Sequence, residues 1–362
     1  MPRIVAIALS GGIDSLVAAA LLKEQGYQLI GLHFLTGLEK ELQGSPKHSP
    51  SFGEWRTLES LARRQLAPMA DQLRIPLHIV DLRTEFQDRV IDYFTATYQA
   101  GKTPNPCLVC NPSIKFDSLF EKARALGATH LATGHYARIR PDADGRMHLL
   151  RGLDPFKEQS YFLARLSQKQ LTRAILPLGS HTKAQTRLMA DERGLRPVSA
   201  RESQDICFIK DGAYGDFLNR QPGFDSSPGV IEDLSGRPIG RHTGLHQFTV
   251  GQRRGINCPA AEPYYVVRLD TEHNTLVVGH RQALLTDRFR VSEINWITPP
   301  PGTEMQISVR VRYRHAAVPA QLLPFDAASA EVRLEAPQSA VTPGQGAVFY
   351  RDDEVLGAGW IE

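Results

Sequence analysis

Cysteine is scarce in this sequence, with four residues in a chain of 362. That number excludes a small secreted scaffold held together by disulfides, which uses cysteine far more densely. Sparse thiols fit a reducing compartment, where they serve as reactive groups or as small buried side chains. We therefore expect a cytoplasmic protein.

Long apolar runs are also missing. The opening residues, MPRIVAIALSGGIDS, are interrupted by glycine and aspartate too early for a secretory signal or a membrane-spanning helix. The net charge is +3, 42% of residues are hydrophobic and 22% are charged. This composition is typical of a soluble globular protein of roughly two or three domains, and it indicates no membrane partner.

Strand-like and helix-like stretches alternate through the first half of the chain. Four apolar runs resemble buried strands, at residues 3–10, 28–35, 77–82 and 129–135. Helical patterns lie between them, and Thr182 and Gly194 are expected to cap a later helix. The alternation predicts an α/β domain with a parallel sheet, which we place at residues 1–207.

The composition and the hydrophobic pattern of the sequence change after about residue 208. The stretch QPGFDSSPG is typical of a linker, and glycine and proline then recur between short alternating runs such as YYVVRLD and TLVVGH. This pattern predicts small antiparallel β modules or barrels. We expect a central β-rich domain at residues 208–282 and a C-terminal β-barrel domain at 283–362.

The stretch ALSGGIDS, residues 8–15, lies between the first predicted strand and the first predicted helix. Its glycines let the backbone approach a phosphate, and a helix N-terminus attracts negative charge. A plain strand-to-helix turn is the alternative, and the missing lysine excludes a kinase-like P-loop. The string SGGxDS resembles the PP-loop of ATP pyrophosphatases, which transfer AMP from ATP. That resemblance implies ATP and Mg²⁺, with Asp14 near the metal.

The motif NPCLVC, residues 105–110, leaves four possibilities for Cys107 and Cys110. They are a zinc half-site, a redox pair, an iron–sulfur corner, or two thiols with separate roles. A closed zinc site needs four ligands, and only the isolated Cys207 and Cys258 remain to complete one. Zinc is therefore disfavoured, and Cys258 is interpreted as a small buried side chain.

Reactive thiols need a lowered pKa, which helix N-termini or neighbouring cations provide. Lys115 follows Cys110 and Lys210 follows Cys207 within a few residues. We expect these lysines to lower the pKa of the two thiols.

Eight strings resemble, in order, the bacterial tRNA-specific 2-thiouridylases of the MnmA type, a family within the PP-loop ATP pyrophosphatase superfamily. They are ALSGGIDS, AGKTPNPCLVCNPSIKF, LATGHYARI, LLRGLDPFKEQSYFL, SQDICFI, GRHTGLHQFTVGQRRGI, RVRYRH and AVTPGQGAVFY. The resemblance implies ATP-dependent 2-thiolation of the wobble uridine, U34, of tRNA. Its implied partners are tRNAs of the Lys, Glu and Gln types and a sulfur-donor protein, either a cysteine desulfurase or a sulfur relay protein.

The resemblance also implies roles for individual residues. Cys110 is the nucleophile, Cys207 carries a persulfide, and the two form a disulfide during the reaction. The residues implied to bind ATP are Ala8, Leu9, Ser10, Gly11, Gly12, Ile13, Asp14, Ser15, Phe34 and Gly134. The residues implied to contact the target base are Asn105, Pro106 and Cys107, and those implied to contact the rest of the tRNA are Lys157, Glu158, Gln159, Arg312 and Tyr313.

Three places depart from the usual family pattern, and one of them is the stretch EKELQGSPKHSPSFGEW, residues 39–55, for which the resemblance implies no contacts. The other two are single positions. Many members carry Asp in place of Cys107 and Asp in place of Glu158. With Cys107 present, the thiolates of Cys107, Cys110 and Cys207 are suited to a [4Fe–4S] cluster with one open iron. A persulfide relay through Cys110 and Cys207 and a cluster-bound sulfide therefore both remain possible.

The run SVRVRYR, residues 308–314, suggests an RNA contact independently of the family. A strand period of two predicts two faces. The predicted faces are Val309, Val311 and Tyr313 on one side and Arg310, Arg312 and Arg314 on the other. A row of guanidiniums beside an aromatic ring suits phosphates and bases, although a solvated outer face is the plainer interpretation.

Two other functions compete with thiolation. A PP-loop ligase or amidotransferase that uses an amine nucleophile would need no essential thiol and no basic C-terminal strand. A tRNA-binding module with a decayed PP-loop is the second, and the intact string SGGIDS argues against it.

Overall fold

The computed structural model describes residues 3–39, 52–199, 206–209, 214–224 and 226–362, with the backbone alone for 52–55. The chain forms two compact units. Unit 1 comprises Met1–Arg89, Cys107–Phe208 and Asp353–Val355, and unit 2 comprises Val90–Pro106, Ile209–Asp352 and Leu356–Glu362. The three domain boundaries expected from the sequence stay a prediction.

Unit 1 is built on a parallel sheet. Its strands in chain order are β1 (Ile4–Ala8), β2 (Gln28–Leu35), β3 (Leu77–Asp81), β4 (His130–Ala132), β5 (Ala137–Pro141), β6 (Met147–Arg151) and β7 (Ala174–Ile175). Five of them pair in the order β3-β2-β1-β4-β7, and every pairing is parallel. The parallel sheet expected from the sequence is confirmed. Outside it, β5 and β6 form an antiparallel hairpin, and β6 also pairs with Glu354 and Val355.

The strand order reverses between β1 and β4. From β1 the chain adds β2 and β3 on one side, and it then returns to place β4 on the other side of β1. The carboxyl ends of two neighbouring strands at such a reversal form the crevice in which open α/β sheets bind ligands. The loops that follow β1 and β4 are therefore expected to form the ligand-binding site.

Helices lie between the strands. The α-helices of the described residues are α1 (Ile13–Glu24), α2 (Phe52–Leu73), α3 (Arg83–Phe86), α4 (Asp92–Gln99), α5 (Pro106–Cys110), α6 (Phe120–Ala125), α7 (Ser160–Leu163), α8 (Gln168–Leu171), α9 (Lys183–Glu192) and α10 (Tyr214–Asn219). Two π-helical stretches, Gln87–Ile91 and Asn111–Leu119, continue α3 into α4 and α5 into α6. Short 3₁₀ turns occur at Leu245–Gln247 and Arg281–Leu284.

The core of unit 1 fixes the loop between β1 and α1. Val5 and Ile7 of the strand and Leu16 and Val17 of the helix are fully buried in the same cluster. Burying a side chain of this size stabilises the fold by about 1.5–3 kcal/mol. Because both flanking elements are anchored in this way, the loop between them has a defined position.

Unit 2 contains a small mixed sheet. Its strands are β8 (Gly229–Glu232), β9 (Pro238–His242), β10 (Tyr265–Asp270) and β11 (Thr275–Gly279), in the order β10-β11-β8-β9. The expectation of purely antiparallel pairing is wrong at one place, because β11 and β8 run parallel. Two hairpins, β8–β9 and β10–β11, join side by side through strands that point the same way.

Unit 2 also contains a closed β-barrel, as the sequence predicted. Its strands are β12 (Leu285–Trp296), β13 (Met305–Arg310), β14 (Val318–Pro324), β15 (Ala330–Ser339), β16 (Gly346–Arg351) and β17 (Glu354–Ile361), which belongs to this unit from Leu356 onward. They pair in the order β12-β15-β14-β13-β16-β17, and a β12–β17 pairing closes the ring. Val309, Val332 and Phe349 are fully buried inside it. Within the described ranges, no helix has the length and apolar character needed to cross a lipid bilayer.

Candidate active site

The loop at residues 10–15, named here the glycine loop, turns the chain from β1 into α1. Gly11 has φ +88°, a left-handed conformation that glycine adopts without strain. Its carbonyl oxygen accepts hydrogen bonds from the backbone N–H groups of Val198 (3.1 Å) and Ser199 (3.0 Å). The Ser15 hydroxyl donates to the Gly12 carbonyl at 3.0 Å. The loop is therefore held open toward the N-terminus of α1, where backbone N–H groups suit a phosphate.

Asp14 is the charged residue of the glycine loop. Its two carboxylate oxygens lie 2.7 and 2.8 Å from the ammonium of Lys183, a residue that is 6% exposed. The Tyr136 hydroxyl donates to the same carboxylate at 2.7 Å. Burial and the nearby Asp14 charge raise the pKa of Tyr136, so this hydroxyl keeps its proton and acts as a donor. Lys183 and Tyr136 were missed at the sequence level, because 169 and 122 residues separate them from Asp14.

Residues 133–136, named here the bridging segment, follow β4 and pack against the glycine loop. A Cβ on Gly134 would lie 2.8 Å from the Asp14 carbonyl carbon and 2.9 Å from the Ser15 nitrogen. Such distances are too short for any side chain, so only glycine fits. Gly134 thus lies beside the predicted ATP loop, and its contact with ATP stays a prediction.

Phe34 lies near the carboxyl end of β2, paired in register with Val80 of β3, and is half-buried. The preceding residue, His33, donates from Nδ1 to the Leu9 carbonyl at 2.8 Å. Ala8 ends β1 opposite Leu32 of β2. The predicted ATP residues of β1 and β2 therefore share one edge of the sheet with the glycine loop.

The other face of the bridging segment meets a lysine. The Nε2 atom of His135 lies 3.4 Å from the Lys115 ammonium, and its Nδ1 atom lies 2.7 Å from the Thr133 hydroxyl. Burial and the Lys115 charge hold the pKa of His135 well below its usual range. The imidazole is therefore neutral, with Nε2 accepting from Lys115 and Nδ1–H donating to Thr133.

Lys115 belongs to the thiol helix, defined here as residues 107–119. Cys107 and Cys110 lie one turn apart on α5, and the π-helical stretch carries Lys115. The side-chain amide of Asn111 donates to the Cys107 carbonyl (3.0 Å) and the Phe162 carbonyl (2.9 Å). These bonds fix the turn of the helix that presents the two thiols.

The expected lowering of the thiol pKa is wrong for Cys110 and Cys207, and Cys107 shows the same upward shift. Burial raises the pKa of Cys107 to about 11 and that of Cys110 to about 12. Lys115 lowers both values as expected, but burial outweighs it. Lys210, the other expected cation, lies outside the described residues. Both thiols are therefore protonated at neutral pH in this conformation.

Cys207 interacts with the same thiols. It belongs to unit 1, where the residue as a whole is exposed while its sulfur faces the protein, and its charge contributes to the raised pKa of both Cys107 and Cys110. Lys115 lowers the pKa of Cys207 as well, although burial of the sulfur raises it overall. All four cysteines lie in the described part of the chain and are free thiols. The structure thus brings together the three cysteines singled out from the sequence and leaves Cys258 in the other unit.

The donor atoms fit Mg²⁺ better than an iron–sulfur cluster. Magnesium is commonly bound by one or two carboxylates together with substrate phosphates, and Asp14 supplies one carboxylate beside the phosphate-binding loop. Across the described residues, no group of three or more His, Cys, Asp and Glu side chains is arranged to hold a metal ion. In the part of the chain that the structure describes, the three thiols are therefore not arranged as a set of cluster ligands.

The predicted tRNA contacts of unit 1 lie in the loop at residues 154–159. Glu158 is buried, and its carboxylate accepts from the Ser160 N–H. The Gln159 side-chain oxygen accepts from the Tyr136 N–H at 3.0 Å, and Lys157 is half-buried. Phe156, which sequence reasoning did not single out, is 89% exposed.

The predicted contacts of unit 2 are placed differently from the sequence expectation. Strand β13 ends at Arg310, so the alternation expected through residue 314 is wrong. Arg312 is half-buried and donates to the Val250 carbonyl at 2.9 Å and to the Thr342 hydroxyl. It therefore does not belong to a flat row of exposed guanidiniums, and Tyr313 beside it is half-buried.

Asn105 and Pro106 also fall in unit 2, and both are buried. The Asn105 N–H donates to the Tyr93 hydroxyl at 3.3 Å. Gln345 donates to the Thr103 and Pro104 carbonyls just before them. These bonds hold the corner before the thiol helix within its own unit.

Three domain profiles match the chain in order. The tRNA methyl transferase HUP domain matches residues 3–211, the tRNA methyl transferase PRC-barrel domain residues 215–280, and the aminomethyltransferase beta-barrel domain residues 286–361.

Curated relatives match over almost the whole chain. The tRNA-specific 2-thiouridylase MnmA of Desulfosudis oleivorans is 50% identical over 99% of this chain and 94% of its own. The proteins of the same name from Geotalea uraniireducens and Magnetococcus marinus are 45% and 43% identical over 99% of this chain, and over 94% and 99% of their own. Identity at this level and coverage places this chain in the tRNA-specific 2-thiouridylase family of the MnmA type.

Proposed function

We propose that the protein is an ATP-dependent tRNA-uridine 2-sulfurtransferase that acts on the wobble uridine, U34. The observation that carries this proposal is the bridging segment, residues 133–136. Gly134 and Tyr136 contact the glycine loop, while His135 contacts the lysine beside the thiols. One short segment therefore joins a phosphate-binding loop to a cluster of three cysteines, as a reaction that uses both requires.

The first step is adenylation of the base. The O2 oxygen of uridine attacks the α-phosphorus of ATP, the bond to the bridging oxygen breaks, and pyrophosphate leaves with that electron pair. The N-terminus of α1 and the glycine loop bind the phosphates. Mg²⁺, held by Asp14 and phosphate oxygens, would neutralise charge on the pyrophosphate.

The second step replaces the activated oxygen with sulfur. The terminal sulfur of a Cys207 persulfide forms a bond to C2 of the base. The Cys110 thiolate, after its proton is released to water, attacks the Cys207 sulfur, and the S–S bond of the persulfide breaks. Its electron pair stays on the sulfur at C2, AMP leaves, and a Cys110–Cys207 disulfide remains for a thiol reductant to reduce.

Lys115 has a clear place in this step. The Cys110 pKa of about 12 makes its thiolate unfavourable at neutral pH, and the Lys115 ammonium stabilises the anion. We propose a cysteine desulfurase or a sulfur relay protein as the source of the persulfide, and tRNAs of the Lys, Glu and Gln types as substrates. Both proposals rest on family resemblance, as do the tRNA contacts of Asn105–Cys107, Lys157–Gln159 and Arg312–Tyr313 and a cytoplasmic location.

The experiment that tests the function compares two cysteine variants. Cys207→Ser is expected to abolish 2-thiouridine formation, measured by mass spectrometry of digested tRNA, while adenylation, measured as tRNA-dependent pyrophosphate release, remains. Cys258→Ser is the matched control, because Cys258 lies in unit 2 with its thiol donating to the Ile256 carbonyl, and it is expected to keep both activities. Full thiolation by Cys207→Ser would overturn the persulfide and cluster roles of Cys207. An unaltered protein that forms no 2-thiouridine and joins an amine to its substrate would instead favour a PP-loop ligase.

Metal analysis of the active enzyme separates the two sulfur routes. The protein is purified without oxygen, and iron and acid-labile sulfide are measured beside the thiolation rate. An active enzyme free of iron supports the persulfide relay. Stoichiometric iron that tracks activity would instead assign Cys107, Cys110 and Cys207 to a [4Fe–4S] cluster.

A further inference from the structure

Lys183 connects two parts of unit 1 through two different groups. Its ammonium pairs with both oxygens of Asp14 in the glycine loop, and its backbone N–H donates to Asp154 Oδ2 at 2.8 Å. It is the first residue of α9, whose N-terminus is fixed by a capping box between Thr182 and Gln185. A movement of the ammonium is therefore transmitted to the first residue of α9, whose N–H is hydrogen-bonded to Asp154.

Asp154 in turn fixes the loop at residues 154–159. Its carboxylate is 6% exposed and accepts from the N–H groups of Phe156 (2.9 Å) and Lys157 (3.2 Å) through Oδ1. Its other oxygen is the one that accepts from Lys183. One carboxylate thus bonds the start of α9 through one oxygen and the start of the predicted tRNA-contact loop through the other.

A second connection reaches the far end of the same loop. Tyr136 donates its hydroxyl hydrogen to Asp14 and exchanges two bonds with Gln159, through its N–H to Gln159 Oε1 (3.0 Å) and through its carbonyl from the Gln159 N–H (2.8 Å). Asp14 is therefore joined to the loop at Asp154 through Lys183 and at Gln159 through Tyr136. Both connections consist of buried or half-buried groups, where hydrogen bonds are strong and costly to leave unmade.

We propose that Lys183 is a positioning residue that couples nucleotide binding at the glycine loop to tRNA binding at residues 154–159. Nucleotide phosphates with Mg²⁺ bring a new cation to Asp14 and new anions beside Lys183, so the Lys183–Asp14 pair rearranges. The rearrangement acts on Asp154 through the first residue of α9 and changes the position of the loop. The coupling is reciprocal, because a loop held by tRNA favours the same arrangement of Lys183.

This inference rests on the proposed function, since it assumes that residues 154–159 meet tRNA. The test measures binding of α,β-methylene ATP with Mg²⁺, in the absence and presence of saturating unmodified tRNA transcript. The ratio of the two dissociation constants is the coupling factor. Allosteric factors commonly lie between about 5 and 150, and we expect the unaltered protein to fall in this range. Lys183→Met should reduce the factor to about 1.

Two further variants separate coupling from loss of affinity. Asp154→Asn keeps the Lys183–Asp14 pair, but its single acceptor oxygen cannot accept hydrogen bonds from both Lys183 and the loop. The coupling factor should therefore fall, while the dissociation constant of the ATP analogue without tRNA is unchanged. Arg193→Met is the control, because Arg193 forms a surface ion pair with Glu24 beyond the other end of α9, and it should keep the full factor. The dissociation constant of tRNA, measured with and without the ATP analogue, must give for each variant the same coupling factor as the measurement of nucleotide binding.

An unaltered factor in folded Lys183→Met and Asp154→Asn would overturn the inference, as would a factor of 1 in the unaltered protein. Neither result depends on chemistry, because the analogue is not cleaved. The proposed function fails separately, through an absence of 2-thiouridine from the unaltered protein supplied with ATP and a sulfur source.

Discussion

The glycine loop and the thiol helix contact the same bridging segment, but their reactive groups are held in opposite ways. In the glycine loop, the Asp14 charge is paired with Lys183 and Tyr136, and the backbone already has the conformation that a phosphate needs. In the thiol helix, Cys110 is buried and Cys107 is half-buried, and both have a raised pKa and are protonated. The first region is arranged for binding before any ligand arrives, whereas the second becomes reactive only when a thiol loses its proton.

This difference suits a reaction with two steps. A persulfide or a free thiolate exposed before the base is activated would react with other electrophiles or with oxygen. A raised thiol pKa limits such reactions, because the reactive thiolate is then scarce at neutral pH. Four experiments test the contrast between the two regions, and they follow in order of expected effect.

The largest effect is expected from removing the thiol that acts in the second step. Cys110→Ser should lower 2-thiouridine formation by at least about 10³-fold, as loss of a nucleophile commonly does, and leave AMP transfer intact. Cys107→Ser is the matched variant one helical turn away, and under the persulfide relay it keeps its activity. Equal losses in both variants would remove the distinction between the two cysteines and favour a shared cluster.

The next effect concerns the glycine loop. Gly134→Ala places a Cβ within 2.8 Å of the Asp14 backbone, so the loop must shift. A displacement of this size at a reacting site costs about 10²-fold, and we expect that loss in ATP-dependent AMP release. Alkylation of Cys110 should stay unchanged, as measured by mass spectrometry. The control is Gly302→Ala, in the loop between β12 and β13, where a Cβ meets open space and the backbone is not left-handed. An active Gly134→Ala enzyme would contradict the close packing.

A smaller effect is expected from the cation beside the thiols. Because the pKa values of Cys107 and Cys110 are about 11 and 12, their alkylation by iodoacetamide should rise about tenfold per pH unit between pH 7 and 10 without a plateau. Lys115→Met raises both pKa values further, so alkylation at pH 8 should fall several-fold, by about tenfold for each unit of added shift. Lys115→Arg should keep the original rate. A plateau near pH 8 would show that the thiols are not held in their protonated form.

The smallest effect serves to separate site defects from general instability. The His148 imidazole lies 3.1 Å from Asp142 and also contacts Glu354, and these carboxylates raise its pKa. A raised histidine pKa contributes stability that is fully present below its unfolded value of about 6.5 and is lost as the pH rises through the folded value. His148→Gln should therefore lower the free energy of unfolding by about 1 kcal/mol or less at pH 6 and by almost nothing at pH 9.

That variant should change neither AMP release nor thiol alkylation when the protein is folded. Urea titrations at the two pH values give the stability difference. A loss that is equal at pH 6 and pH 9 would mean that packing, and not the charge on His148, accounts for it.

The local part of the site could be predicted from the sequence. The order strand, SGGIDS, helix sets β1, the glycine loop and α1, and the expected N-cap at Thr182 is confirmed by its capping box with Gln185. The parallel sheet follows from the alternation of strands and helices, and the barrel follows from the short strands near the C-terminus. These features depend on residues that are close together in the sequence, so a local sequence pattern is enough to predict them.

The rest depends on partners far apart in the chain. In the sequence, Lys183 is an ordinary lysine at the start of a predicted helix, and only the fold shows that it pairs with Asp14. The prediction of a row of exposed arginines was wrong for the same reason. Arg312 lies beyond the end of β13 and donates a hydrogen bond to the Val250 carbonyl, 62 residues earlier in the chain. The thiol pKa was expected in the wrong direction because the nearby lysine is visible in the sequence and the burial is not.

The π-helical winding of Asn111–Leu119 has its own consequence. An i→i+5 winding places residues five apart on one face, as the 3.2 Å bond from the Ser118 hydroxyl to the Ser113 carbonyl illustrates. Cys110 and Lys115 have that spacing, whereas an ordinary α-helix would turn them to different faces. The reactivity of the thiol is therefore set partly by helical phase: winding the same residues as an ordinary α-helix would retain both side chains and still separate the charge from the sulfur.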